Sequence, residues 1–330
     1  MPTWSEILGE LLQSQAGGGM PQFDAVRRKY LVKMHEATGR NVILYASKWT
    51  QPDPSVSPET VSIVDEDVQG LMEVIHGLVD PNLDLILHSP GGSPEAAEAF
   101  VRYLRSKFHH IRIIVPHLAM SAATMMACAA DTIILGKHSF LGPIDPQFVV
   151  NTPLGERMVP AQAILDQFEQ AKTECLDPAK MGAWLPMLSQ FGPDLLIQCR
   201  NALQMSRQLV EDWLMSYMFK DDLEREKKAK DIATWLADHG EFKSHGRHIP
   251  RAEVERRGLR VEPLEQDQRI QDVVLSVFHA TTHTFTGTAA VKIIENHLGK
   301  AFIKQSRQVV LPVSPQLPQD ILKALPKVPH

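Results

Sequence analysis

Between residues 41 and 135 the apolar positions fall in short unbroken blocks: NVILYAS (41–47), LDLILH (83–88), IRIIV (111–115) and TIIL (132–135). Runs of this length without alternation suit strands covered on both faces. Between the blocks the apolar spacing lengthens to three and four. That predicts helices over 64–78 (capped by Ser62, with Asp65 three residues on), 94–107 and 121–129. Strands alternating with helices predict an α/β fold on a parallel sheet. Upstream, 3–13 and 22–38 read as helices, the second with Phe23, Val26, Tyr30 and Met34 on one face, and WTQPDPSVSPE (49–59) reads as a loop. After Pro153 the pattern changes and 160–240 reads as mostly helical, with Ile164, Phe168 and Ala171 on one face and Val210, Trp213, Leu214 and Tyr217 on another. HGEFKSHGRHIP (239–250) is a loop, 251–257 a helix ended by Gly258, and 266–279 and 288–297 two further helices. The proline-rich end, VLPVSPQLPQDILKALPKVPH, reads as an extended tail suited to docking. The expected division is 1–40 helical, 41–155 core, 156–240 helical arm, 241–305 loop and helices completing the site, and 306–330 tail.

Composition changes this picture little. With 330 residues, 44% hydrophobic, 22% charged and a net charge of −5, the chain matches ordinary globular proteins, and no basic excess points to nucleic acid. No stretch reaches the ~18 apolar residues of a membrane span. Glu6 and Glu10 argue against a secretory leader, so no membrane partner and a cytoplasmic location are expected. Cys128, Cys175 and Cys199 are too scattered for a metal cluster, and the pairs His245/His248 and His279/His283 lack further ligands at suitable spacing. No cofactor or metal is expected. Arg27, Arg28, Lys29 and Lys33 form either a solvated helix face or a binding patch.

The chemistry concentrates between Leu83 and Gln147. One strand ends in HSPGG and the next in AMSAAT. Adjacent glycines leave amides uncovered by side chains, and a serine at a helix start suits either a plain N-cap or a nucleophile on a tight turn. Ala119, Ala122 and Ala123 permit such a turn. Gly91 and Gly92, with the amide of Ala122, are therefore candidate oxyanion donors beside Ser121. Met120, Met125 and Met126 suit core packing better than a substrate groove.

SPGG and its helix, then MSAATMMACAAD, then LGPIDPQ, resemble the serine dehydrogenase proteinase family, distant relatives of the Clp proteolytic subunit and of signal peptide peptidase A. The likeness runs from about Arg27 to Leu259 and includes HGEFKSHGRHIPRAEVERRGL. It implies a ClpP/crotonase-like spiral of ββα units with a largely helical arm, a serine peptidase, and a homo-oligomer acting on peptide or protein substrates. By the resemblance, Ser121 is the nucleophile, Asp145 the orienting acid and His245 the general base. Asp145 between two prolines also suits a turn, and His239 and His248 share the loop of His245. The signal peptide peptidase branch uses a serine–lysine dyad, which makes Lys172 the alternative base. The fold also hosts acyl-CoA enzymes and non-catalytic assembly proteins. No GxxxxGK[ST] motif occurs, so any ATPase partner is a separate chain.

Overall fold

The computed structural model describes residues 3–15, 19–51, 53–152 and 155–306. The proline-rich tail, from residue 307 on, lies outside them. A seven-stranded sheet forms the centre. Its spatial order is Val261–Pro263, Thr132–Leu135, His110–Val115, Asn82–His88, Asn41–Ser47, Ala290–Asn296, Ala301–Gln305. The first five strands are mutually parallel and the last two antiparallel to their neighbours. The four blocks read from the sequence are thus contiguous in the sheet. Both faces are covered: Ile43, Leu85, Ile113 and Ile133 enter one hydrophobic cluster, and Val42, Leu44, Ile86 and Ile114 the other.

Several expectations need correction. Residues 288–297 form no helix. AVKIIEN is a fully buried antiparallel strand, where the β-branched run outweighs the spacing, and 268–287 is one continuous helix. The sheet is therefore mixed and takes strands from well beyond residue 155. Ser62 caps no helix from below. It follows the one-turn helix Pro58–Val61, which Ser57 caps, and the next helix runs Asp67–Ile75. A β-hairpin, Gln147–Thr152 with Gly155–Pro160, precedes the helical arm, which comprises Ala161–Glu174, Pro178–Leu188 and Leu195–Trp213. Arg27 is no surface cation: it is fully buried, bonded to Glu295, to Thr284 Oγ1 at 3.0 Å and to Asp24 at 2.8 Å, which removes it from the basic face, whereas Lys29 and Lys33 are exposed on it. Among the described residues no helix is long and apolar enough to cross a membrane.

A second, small sheet positions the site. Leu118–Ala119 pairs with Phe140–Leu141, which pairs with Ile249–Pro250. A bridge from Ser89 to Ala119 adds the glycine loop. These two-residue strands gather the segments just before Ser121, just before Asp145, just after His245 and just before Gly91. They lie beyond the carboxyl ends of the central parallel strands, where α/β sheets place their sites.

Candidate active site

Ser121 opens the helix Ala122–Cys128 with φ 52° and ψ −123°, a left-handed backbone that a side chain other than glycine rarely adopts. Such strain costs about 1–3 kcal/mol and persists only where the surroundings enforce it. The enforcement is visible. Met120 N–H donates to Ser89 O at 3.0 Å and Ser89 N–H to Leu118 O at 3.1 Å, fixing the strand before the turn. Thr124 Oγ1 donates to Ala119 O at 2.8 Å and accepts from Gly142 N–H at 2.9 Å, tying the turn to the segment that carries Asp145. Ala119, Ala122 and Ala123 are buried, so small side chains permit the tight approach. The serine hydroxyl makes no capping bond, which removes the plain N-cap explanation.

Gly91 backs directly onto this turn. A Cβ there would lie 2.6 Å from Met120 O and 2.7 Å from Ser121 Cβ, and φ is +96°. Only glycine fits. Gly92 lies against Ile63, whose N–H donates to Gly91 O at 2.7 Å and whose carbonyl accepts from Ser93 N–H at 3.0 Å. The amides differ in availability. Gly91 N–H is taken by Ser89 Oγ at 3.2 Å, which corrects the expectation that both glycines offer free donors. Gly92 N–H and Ala122 N–H have no hydrogen-bond partner among the described residues.

Asp145 is buried and is no mere turn residue. Its carboxylate accepts from His245 Nδ1–H at 2.7 Å, from His239 Nδ1–H at 3.0 Å and from Gln147 Nε2–H at 2.9 Å. With Nδ1–H directed at a carboxylate, each imidazole presents Nε2 as its free nitrogen. His245, and not His239, lines the same cleft as Ser121. His248 stacks on Phe140, with ring centroids 5.1 Å apart, and stays outside the cluster. Lys172 is not brought to the site either. It sits exposed on the arm helix Ala161–Glu174, paired with Glu169 at 2.7 Å, and the serine–lysine alternative is set aside on that ground.

The cleft holds about 580 Å³. Ser121, Gly91 and Gly92 line it; Met125, Ile144, Phe148, Met158 and Met205 give it apolar surface; Lys48, Asp53 and Glu95 supply polar positions. Met125 is buried core and cleft wall at once, whereas Met120 and Met126 are core and do not line the cleft. Beside the site, His88 is held neutral. Burial, then the neighbouring His117, pulls its pKa down to about 3, and its Nδ1–H donates to Leu118 O at 3.1 Å. His283 Nε2 bonds Trp4 O at 3.0 Å, so the His279/His283 pair is not free for a metal. Among the described residues no group of three or more His, Cys, Asp or Glu is arranged to hold one.

Three features escaped the sequence. The hairpin that walls the cleft was legible in principle, since VVN and ERMV flank a Thr-Pro-Leu-Gly turn signal. Thr124, the one hydroxyl between Ala122 and Cys128, carried the mark of a buried polar residue with a structural partner. His239 shared the loop of His245, but only the fold could show it on the same carboxylate.

Comparison with known proteins places this geometry. The chain is 30% identical over 174 residues to an uncharacterized protein of Methanocaldococcus jannaschii, a stretch covering 52% of each chain. To a second uncharacterized protein of that organism it is 38% identical over 89 residues, 27% of this chain and 28% of the other. The chain thus spans about half the length, or less, of the curated relatives it matches. The family model of ClpP-like SDH-type serine proteinases matches residues 61–273, from just before Ile63, which bridges to Gly92, into the helix Gln268–Gly287, and the chain belongs to that family.

Proposed function

We propose that this chain is a serine peptidase that cleaves peptide bonds through an acyl-enzyme at Ser121. One observation carries the assignment: a serine in a strained left-handed turn, without a capping bond, shares a cleft with a histidine held by a buried carboxylate. Protein folds keep such strain where it serves function.

In the proposed mechanism His245 Nε2 takes the Ser121 hydroxyl proton as Oγ bonds to the scissile carbonyl carbon. Asp145 fixes the tautomer and stabilises the imidazolium. The carbonyl oxygen, now negative, accepts from Gly92 N–H and Ala122 N–H; removing one such donor typically costs ~10²–10³ in rate. Collapse breaks the C–N bond, and the amine leaves with the proton from His245. Water then adds by the same route and frees the serine. The apolar cleft wall favours an apolar side chain next to the scissile bond. By family likeness we read the strand–helix units as the ββα spiral of this fold and infer a homo-oligomer of this chain, with any ATPase partner a separate chain. A coenzyme A thioester enzyme with paired amides has no use for a strained serine.

A fluorophosphonate probe tests the assignment. Covalent labelling at Ser121, lost in Ser121→Ala together with peptide hydrolysis, is the expected result. Absence of labelling in the folded wild-type protein, or hydrolysis that survives Ser121→Ala, overturns it.

A further inference from the structure

Deep beneath the glycine loop lies an ion pair that the proposed chemistry does not touch. Lys292, on the strand Ala290–Asn296, and Asp67, at the start of the helix Asp67–Ile75, are both fully buried. Lys292 Nζ donates to Asp67 Oδ1 at 2.8 Å, to Asp67 Oδ2 at 2.9 Å and to the Ser62 carbonyl at 2.6 Å, which occupies all three ammonium protons. Asp67 Oδ2 also accepts from Tyr45 OH at 2.7 Å and from Val64 N–H at 3.0 Å. Burial pulls the lysine pKa down while the Asp67 charge opposes the shift.

Such a pair is a poor way to gain stability, since apolar side chains of equal volume commonly do as well or better. What it supplies is position. Its bonds grip residue 62 by its carbonyl and residue 64 by its amide. The residue between them, Ile63, is the one whose N–H and C=O bridge to Gly91 O and Ser93 N–H. In a parallel bridge of this pattern the amide of the intervening residue, Gly92, faces away from Ile63. Gly92 has no side chain to restrict its φ of +153°, and a Cβ there would meet Ile63 N and O at 2.4 Å. Its orientation therefore depends on what holds Ile63.

We propose that Lys292 and Asp67 are positioning residues for the oxyanion site, a buried clamp that fixes Ile63 and thereby keeps the Gly92 amide directed into the cleft. The clamp rests on the serine peptidase reading and deepens it: donors that need no reorganisation during reaction are the effective ones.

The paired variant Lys292→Met/Asp67→Asn tests it, because it removes both charges and strands neither. kcat is expected to fall about 10–100-fold with KM within about twofold, and fluorophosphonate labelling of Ser121 to slow in proportion. The acidic limb of the pH–rate profile stays in place, because His245 and Asp145 are untouched. Hydrogen exchange at residues 89–93 rises about tenfold or more. Unchanged kcat and unchanged exchange in the folded variant sink the clamp, as does a KM that rises alone. Tyr45→Phe removes one bond to Asp67 without stranding a charge, so it decides the matter if the paired variant does not fold. About a two- to fivefold loss in kcat at constant KM supports the clamp, and an unchanged kcat overturns it. Wild-type protein that never labels sinks the peptidase assignment, whereas wild-type and variant proteins that label equally fast sink only the clamp.

Discussion

The core and the arm of this molecule treat apolar surface in opposite ways. In the core, sheet residues such as Ile43, Leu85 and Ile113 bury against helices of the same chain, and the buried polar groups around the site are matched: Thr124 with Ala119 and Gly142, Asp145 with two histidines and a glutamine. In the arm, the helix Pro178–Leu188 has no buried residue, and the satellite cluster rests on Ala161, Ile164, Cys199 and Leu203. Leu176 is 83% exposed, Leu185 and Ile197 57% each, and on the hairpin Met158 is 70% exposed. Core surface worth ~25 cal/mol per Å² is removed from water by the chain itself, whereas the arm leaves several large apolar side chains wet. Within the chain the Ser121, Asp145 and His245 segments come together while apolar residues of the arm stay exposed, and exposed apolar surface commonly marks an interaction face.

The core side of that contrast is broken hardest at Asp145. Asp145→Asn keeps shape but inverts a hydrogen-bond role toward two imidazoles, so His245 loses the partner that fixes its tautomer. A loss of about 10³–10⁴ in kcat is expected, by the general behaviour of such triads. His245→Ala should match it, while His239→Ala, outside the cleft, should cost tenfold or less. Equal losses in the two histidine variants, measured by acylation rate, would reassign the base. Gly92→Ala comes next. Its Cβ meets Ile63 backbone atoms at 2.4 Å, a clash with main chain that no side-chain rotation relieves. Loss of at least 10²-fold in activity is expected, with about 2 kcal/mol or more of stability, read by denaturant unfolding.

These two effects mark the limit of what could be read without coordinates. The parallel strands were legible because NVILYAS, LDLILH and TIIL are short apolar blocks, whereas Ser121 and Gly91 stood out only as candidates, since a serine there also suits an N-cap and a glycine a plain turn. The antiparallel strand AVKIIEN was not, because its lysine breaks the apolar run and only the fold shows Asp67 waiting for it. The small sheet Leu118–Ala119, Phe140–Leu141, Ile249–Pro250 was invisible for a different reason: two-residue strands have no periodicity. It is nonetheless what joins the serine and aspartate segments to the histidine segment, which lies about a hundred residues further along the sequence.

A milder probe of core completeness is proton uptake. His88 titrates near 6.5 when exposed and near 3 in the fold, because burial and then His117 disfavour its charged form. Between those values the unfolded chain binds a proton that the folded chain does not. The contribution is therefore fully present above pH 6.5 and is lost as pH falls toward 3, at up to ~1.4 kcal/mol per pH unit. His88→Leu should show a shallower fall of unfolding free energy between pH 7 and pH 5 than the wild type, even though it gives up the bond to Leu118 and starts from lower stability. Parallel slopes would mean that the folded core admits the proton.

The smallest effect on the single chain is expected in the arm, and it is the sharpest test of the contrast. Leu185→Glu and Ile197→Glu place charges where more than half of each side chain is already in water. Little burial is given up within the chain, so its unfolding free energy should move by ~0.5 kcal/mol or less. If the inferred homo-oligomer uses this face, each such carboxylate is desolvated without a partner on assembly, a cost that acts once per contact and multiplies around a closed ring. Sedimentation should then show the assembly shifting to smaller species at micromolar concentration, while the far-UV spectrum and fluorophosphonate labelling of Ser121 persist. Loss of labelling along with the assembly would make the core depend on the arm after all. Intact assembly in both variants would leave the exposed apolar face to a partner of another kind.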